Sequence, residues 1–151
     1  MLKKIFWLFT VATAVAIFCF SAQPAEQSNH VSSGVTEKIV DLSPKVRQLP
    51  PAEKQKVVAN VNNAVRKYAH FTLFAVLGLF ITLALFRPEQ KWFITLAIAL
   101  GFCILYAASD EIHQLFVPGR GAQFRDVMID FSGAILGSGI STGINLLRCR
   151  R

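Results

Sequence analysis

The sequence has little charge and no ordered pattern of cysteines. Only 17% of its 151 residues are charged, whereas about a quarter is usual in a soluble domain, and 53% are apolar or aromatic. This composition is too apolar for a water-exposed surface, so we predict an integral membrane protein. The cysteines, Cys19, Cys103 and Cys149, form neither a disulfide framework nor a metal-binding spacing.

Acidic residues are scarce, with 9 Asp and Glu against 16 Lys and Arg, and the net charge is +7. A basic balance is typical of nucleic-acid-binding proteins, but several of these cations lie at the ends of apolar runs, where they act as topology signals and contact lipid headgroups. We therefore expect membrane lipids, and not nucleic acid, as partners. The sequence also lacks a Ser-His-Asp arrangement, a phosphate-cradling glycine loop and a zinc signature.

Long apolar runs are the main feature that is present. At about 1.5 Å per residue, each run of 17 to 21 residues approaches the thickness of the hydrocarbon core. The sequence therefore predicts one all-α membrane domain over residues 1–151, a polytopic helical bundle with an outer loop at 23–67. Its four transmembrane helices are predicted at 5–22, 68–86, 92–108 and 127–147.

The first run also resembles a signal peptide, because Lys3 and Lys4 precede an uncharged apolar stretch. Cleavage after Ala22 would place the bulky Phe20 three positions before the cut, and Pro24 disfavours a cut just downstream. We therefore predict an uncleaved signal anchor, with cleavage as the alternative.

The distribution of basic residues predicts the orientation. The segments 1–4, 87–91 and 148–151 hold seven Lys and Arg among 13 residues, whereas 23–67 and 109–126 hold nine among 63. Because cytoplasmic segments are enriched in Lys and Arg, both termini are predicted to be cytoplasmic, in a bacterial inner membrane. Arg66 and Lys67, at the entry to the second run, favour the opposite orientation.

The outer loop contains apolar residues at helical spacing, which predicts short amphipathic helices in the membrane interface or capping the bundle. A Pro-Pro pair precedes the second set and can open a helix. The alternative is a mobile loop with weak helical propensity. The two sets are Val35, Ile39 and Leu42, and then Val57, Val61 and Val65.

Polar residues that are expensive in lipid lie at the ends of three of the runs. Because consecutive helix ends alternate between the two sides of the membrane, all of them are predicted to converge on the non-cytoplasmic side. A cluster of ionisable groups at membrane depth is costly unless paired or hydrated, which makes it a candidate site. Its members are Lys67, His70, Asp110, Glu111, Gln114, Arg120, Asp126 and Asp130.

Spacing predicts which of these side chains share a face. Lys67 and His70 are three residues apart, and Asp126 and Asp130 are four apart, so the two pairs could meet across the bundle. If the third helix continues past its apolar run, Asp110 shares a face with Tyr106, His113 and Gln114.

Each residue also has a structural interpretation. Lys67 could extend to headgroups, His70 could bridge helices, and Asp130 could form an ion pair with Arg120 or Arg125. The adjacent carboxylates Asp110 and Glu111 repel one another unless a cation is near, and that cation could be Lys67, Arg120 or a metal ion. The segment Pro118 to Gly121 is predicted to be a turn.

Small residues in the fourth run occur at a spacing that permits close helix contact. Gly133 and Gly137 form one such pair, and Gly139 and Gly143 form another. Packing within the bundle and homo-oligomerisation would use these pairs equally well.

Four segments together resemble the VanZ-like family of small bacterial membrane proteins: Ser-Ala-Gln at 21–23, Arg-Lys-Tyr-Ala-His-Phe at 66–71, the stretch at 106–120, and 126–133. The resemblance spans nearly the whole chain, and it places the family's pattern on the eight residues of the candidate site. Members often carry a Glu ahead of an aromatic residue at the position of Phe74, and here Thr72 and Leu73 leave that carboxylate absent. The namesake of the family is associated with low-level resistance to the glycopeptide teicoplanin, without an established chemical mechanism.

The resemblance implies a role in the cell envelope, and three functions remain open. In the first, the polar site binds an anionic or sugar-peptide headgroup, such as that of a lipid-linked envelope precursor, with Lys67 and Arg120 contacting phosphate. In the second, the protein is an enzyme acting on a lipid headgroup, with His70 or Glu111 as acid or base and Asp110 with Asp126 holding a divalent ion. In the third, the role is purely structural. The sequence leaves the catalytic residues, metal and cofactor unassigned.

Overall fold

The computed structural model describes residues 2–25, 28, 34–36, 38–40 and 42–149. Every regular element in these ranges is a helix, which confirms the all-α prediction. The elements in chain order are α1 (Leu2–Ser21), α2 (Pro44–Arg47), α3 (Pro51–Leu85), α4 (Trp92–Gln114) and α5 (Phe124–Cys149).

Four of these helices, α1, α3, α4 and α5, are long and apolar enough to cross a membrane. Their outward faces carry large apolar side chains: Leu8, Leu105 and Leu147 are each about two-thirds exposed or more, at 67%, 73% and 66%. A soluble protein would not present so many such side chains to water, whereas lipid solvates them at no cost. The structure is therefore that of a multi-pass membrane bundle.

Helix α3 is longer than a membrane span requires. It runs without interruption for 35 residues, which is about 52 Å at 1.5 Å per residue, whereas the hydrocarbon core is about 30 Å thick. The apolar set Val57, Val61 and Val65 therefore belongs to the first half of α3 and not to a separate helix. The reason is local: no glycine or proline interrupts the chain between Pro51 and Gly78.

The loop before α3 packs on this first half. Residues 34–36 and 38–40 are helical, and Thr36 and Val40 are buried. The Thr36 hydroxyl donates a 3.2 Å hydrogen bond to Oδ1 of Asn62 in α3. Val35 and Ile39 are exposed, so the apolar stripe expected from the sequence is not buried in the packed core. That is the orientation in which the stripe could contact lipid.

The closest packing in the bundle is between α3 and α5. A Cβ atom added at Gly133 or Gly137 would collide with the carbonyl oxygens of Phe71 and Ala75. At this contact the Ser138 hydroxyl donates a 3.1 Å hydrogen bond to the carbonyl of Gly78. The first glycine pair therefore serves packing within the bundle, which decides between the two alternatives for that pair.

The second glycine pair lies elsewhere on α5. Among the described residues, and apart from the adjoining part of α5 itself, no atom lies within 4 Å of a Cβ atom added at Gly139 or Gly143. Helix α5 thus has one face packed closely against α3 and a second face that is open. Since the first contact sets the rotation of α5, it also determines which polar side chains at the start of that helix point inward.

Candidate functional site

The polar residues meet at one end of the bundle, where α1 and α4 end, α5 begins and α3 passes through. Polar side chains from all four spanning helices contribute to it. They line a cleft, here named the polar cleft, that encloses about 350 Å³ including the solvent at its mouth. Its lining includes Arg66, Lys67, His70, Glu111, Arg120 and Asp130.

His70 is the central residue of this site. Its Nδ1 atom lies 3.9 Å from Oδ2 of Asp110 and 3.8 Å from Oδ2 of Asp130. Both aspartates are buried, with 4% and 3% of their surfaces exposed. We name these three residues the His-Asp-Asp cluster. The carboxylates of Asp110 and Asp130 both lie close to His70 and repel one another when both are ionised, so a cation between them would stabilise the arrangement.

Asp110 is also held by α1 and by its own helix. Its Oδ2 atom accepts a 2.7 Å hydrogen bond from the hydroxyl of Ser21 and a 3.1 Å hydrogen bond from Nε2 of Gln114. Further along the same face of α4, the Tyr106 hydroxyl donates to the carbonyl of Ala14 at 2.7 Å. The His113 ring stacks on Phe18, with 4.7 Å between ring centroids. The stripe predicted on the third spanning helix, which is α4, therefore faces α1.

Lys67 forms an ion pair with Asp126, and both side chains are about one-quarter exposed. The pair Lys67 and His70 on α3 thus meets the pair Asp126 and Asp130 on α5, as their spacing predicts. The structure corrects two of the alternatives considered above. Asp130, and not Asp126, lies beside Asp110, and Asp130 approaches His70, at 3.8 Å, rather than pairing with Arg120 or Arg125.

Glu111 faces the polar cleft from the other side of α4. Its Oε2 atom accepts a 2.9 Å hydrogen bond from the backbone N–H of Gln123, in the segment that leads into α5. Only 4% of Glu111 is exposed. The adjacent residues Asp110 and Glu111 therefore contact different parts of the bundle. Asp110 contacts α1 and α3, whereas Glu111 bonds to the segment that leads into α5.

Arg120 reaches the cleft from the predicted turn between α4 and α5. The turn is confirmed: the N–H of Arg120 donates to the carbonyl of Val117 at 3.1 Å, and Gly119 has a positive φ of 74°. The guanidinium donates a 3.1 Å hydrogen bond to the carbonyl of Phe20, at the end of α1. Its Nε atom is buried and has no hydrogen-bond partner among the described residues.

Burial and, to a lesser extent, the neighbouring Arg66 lower the pKa of Arg120 to about 10, although Asp110 and Glu111 act to raise it. A group with this pKa is still protonated at neutral pH. Arg120 therefore brings a permanent positive charge and a free N–H donor to the cleft.

A second cavity, here named the apolar groove, adjoins the polar cleft. It encloses about 660 Å³ including open solvent, and Arg66, His70 and Arg120 line both cavities. The remainder of its wall is mostly apolar, from side chains of α1, α3 and the loop between them: Phe20, Val35, Val65, Ala69 and Leu73.

All eight residues predicted from the sequence gather at this end of the bundle, and two further residues join them. Ser21 bonds to Asp110, and Arg66 lines both cavities. Ser21 ends an apolar run on the side where the polar residues were expected to converge, and that position was the signal for it. Arg66 directly precedes Lys67, and its function as a topology signal does not predict that it lines the site.

Comparison with known proteins places the chain in a family. No curated protein and no solved structure matches it significantly. A family model described as VanZ/LLP1 matches residues 6–147, a range that contains all four spanning helices almost entirely and every residue of the site described above. This chain therefore belongs to the VanZ/LLP1 family.

Proposed function

We propose that the protein binds an amphiphile with an anionic, phosphate-bearing headgroup, such as a lipid or a lipid-linked precursor of the cell envelope. The observation that carries this proposal is the shared wall of the two cavities. Arg66, His70 and Arg120 border both the polar cleft and the apolar groove. A molecule with its phosphate beside these residues would have its headgroup in the first cavity and its chain in the second.

The two arginines are the residues suited to the phosphate. Among the described residues, Lys67 and His70 have carboxylates within ion-pair distance, and neither Arg66 nor Arg120 does. Arg120 retains an unpaired Nε–H in addition to its bond to Phe20. A guanidinium offers a planar fork of donors that matches phosphate oxygens, so these side chains are available to an anionic ligand.

The carboxylates of the cleft suit the part of the headgroup beyond the phosphate. Glu111 and Asp126 line the cleft and can accept hydrogen bonds from hydroxyl or amide groups. Their negative charge would also repel a second phosphate group placed beside them. This distribution of charge favours a headgroup that combines one anionic end with a neutral polar part.

The site is proposed to face the outer leaflet of a bacterial cytoplasmic membrane, with both chain termini in the cytoplasm. The density of Lys and Arg at 1–4, 87–91 and 148–151 supports this orientation. Lipid-linked envelope precursors present their sugar-peptide headgroups at that surface. Holding or shielding such a headgroup would change susceptibility to glycopeptides, the cellular effect that membership of this family suggests.

Native mass spectrometry of the protein, purified in mild detergent, tests the proposal. We expect the wild-type chain to retain anionic phospholipid or polyprenyl-phosphate species, and the double variant Arg66→Gln/Arg120→Gln to lose them. Arg125→Gln is the matched control, because Arg125 is exposed and lies outside both cavities. Retention of the same lipids by the double variant, or recovery of only zwitterionic lipid by the wild type, would overturn the proposal.

A further inference from the structure

The His-Asp-Asp cluster has the composition and geometry of a metal site. His70, Asp110 and Asp130 each offer one donor atom, and these atoms lie within 4.8 Å of one another. Two donors that bind one ion at about 2.0–2.2 Å each can be no more than about 4.4 Å apart. The two separations from His70, 3.9 and 3.8 Å, already satisfy that limit. The third separation, between the carboxylate oxygens of Asp110 and Asp130, is no more than 4.8 Å.

Asp130 is a buried carboxylate beside His70. Its side chain is 4% exposed, and its Oδ2 atom lies 3.8 Å from Nδ1 of His70. The distance of 3.8 Å to His70 is longer than a direct hydrogen bond, which for N–H···O is about 2.7–3.2 Å. A buried carboxylate normally has several hydrogen-bond partners, because burying it without them is costly.

Asp110 is held in position by hydrogen bonds from two helices. The Ser21 hydroxyl and the Gln114 amide both donate to its Oδ2 atom. Groups that hydrogen-bond to a ligand side chain without contacting the metal are typical around metal-binding carboxylates and histidines. They come from α1 and α4, so the cluster is held by helices and not by loops.

We propose that His70, Asp110 and Asp130 bind a divalent first-row cation of the Zn²⁺ or Mn²⁺ class. The imidazole donor favours such ions over Mg²⁺ and Ca²⁺, which prefer all-oxygen sites, and the described part of the cluster contains no thiolate that would select a softer metal. Since His70 and Asp130 line the polar cleft, the remaining coordination position opens toward it. A water molecule or a phosphate oxygen fits that position. The metal site does not depend on the proposed lipid ligand.

The direct test is metal binding by the full-length protein, purified through a histidine-free tag and stripped with a chelator. Equilibrium dialysis against Zn²⁺ or Mn²⁺ alone, followed by elemental analysis, should give one ion per chain for at least one of the two metals. We expect His70→Asn and Asp130→Asn each to weaken affinity by about tenfold or more, the effect usual for loss of a ligand or its support. His113→Asn and Glu89→Gln are the controls, since neither residue belongs to the cluster.

Two results would overturn the metal site: a wild-type protein that binds neither metal, or binding that the His70 and Asp130 variants retain at the level of the controls. The first needs no variant, so it holds even if a substitution prevents folding. Size-exclusion profiles and circular dichroism identify a variant that has lost its structure. Absence of metal with retention of anionic lipid would overturn the metal site and leave the proposed function standing.

Discussion

The hydroxyl of Ser21 donates a 2.7 Å hydrogen bond to Oδ2 of Asp110, 89 positions later in the chain. The bond joins the end of α1 to the end of α4, and both residues are buried. The first helix is therefore part of the polar site through its last residue. A second contact, from the Arg120 guanidinium to the carbonyl of Phe20, ties the neighbouring turn to the same end of α1.

Removing this hydroxyl should destabilise the protein. In Ser21→Ala, Asp110 keeps the Gln114 donor but loses the shorter of its two hydrogen bonds, and leaving a buried acceptor under-satisfied costs about 1–3 kcal/mol. Thermal unfolding in detergent measures the loss. The control is Ser109→Ala, because Ser109 is exposed and its hydroxyl bonds only to the Tyr106 carbonyl within α4. Equal unfolding midpoints for the two variants would contradict the prediction.

The two glycine pairs of α5 should respond differently to the same change. Gly137→Ala places a methyl group against the Ala75 carbonyl and must separate α3 from α5, a type of overpacking that costs about 1–3 kcal/mol. Gly143→Ala meets open space and gains helix propensity, so it should be neutral or stabilising. Thermal unfolding and membrane abundance compare the two variants. A destabilised Gly143→Ala protein would instead indicate that the second pair is covered by another chain.

Reporter fusions test the proposed orientation. Gln55 lies near the start of α3, in the part that extends beyond the span, and Arg151 is the last residue of the sequence. A phosphatase that folds only outside the cytoplasm should be active when fused at Gln55 and inactive at Arg151. A fluorescent reporter that matures only in the cytoplasm should show the reverse pattern. Phosphatase activity at Arg151 would place the polar cleft on the cytoplasmic side.

The helices and the meeting of the polar residues could be predicted from the sequence for a physical reason. The hydrocarbon core requires about 20 apolar residues per helix, and successive helix ends must alternate between the two sides. Lys67, Asp110 and Asp130 lie far apart in the chain, but each is near a helix end that falls on the same side of the membrane. Their convergence follows from alternation alone and needs no knowledge of packing.

The pairing within the site could not be predicted in this way. Asp126 and Asp130 are one turn apart on α5, so spacing puts them on one face but does not tell which of them approaches Asp110. The contact of Gly133 and Gly137 with α3 fixes the rotation and height of α5 and brings Asp130 to His70 and Asp126 to Lys67. The pairing of each aspartate therefore depends on backbone contacts between helices, which cannot be predicted from helical periodicity.

The two aspartates of α5 should therefore differ in their sensitivity to substitution. Asp130→Asn changes a carboxylate that is 3% exposed and lies beside His70, and disturbing a buried hydrogen-bonding group costs about 1–3 kcal/mol. Asp126→Asn breaks a partly exposed pair with Lys67, and such pairs contribute about 0–1 kcal/mol. Thermal unfolding in detergent, with membrane abundance by immunoblot, gives the order. Equal stability of the two variants would contradict the prediction.

Arg120→Lys tests whether the site recognises phosphate by geometry or by charge. Lysine keeps the positive charge, but an ammonium lacks the planar fork of donors, so the variant should lose function although it accumulates normally. The matched control is Arg125→Lys, at an exposed position outside both cavities, which should behave as wild type. The assay is glycopeptide susceptibility in a strain made dependent on this protein, with membrane abundance measured by immunoblot. If Arg120→Lys accumulates and protects as well as Arg125→Lys, Arg120 does not bind the headgroup through its guanidinium, and a role in packing against Phe20 explains its position.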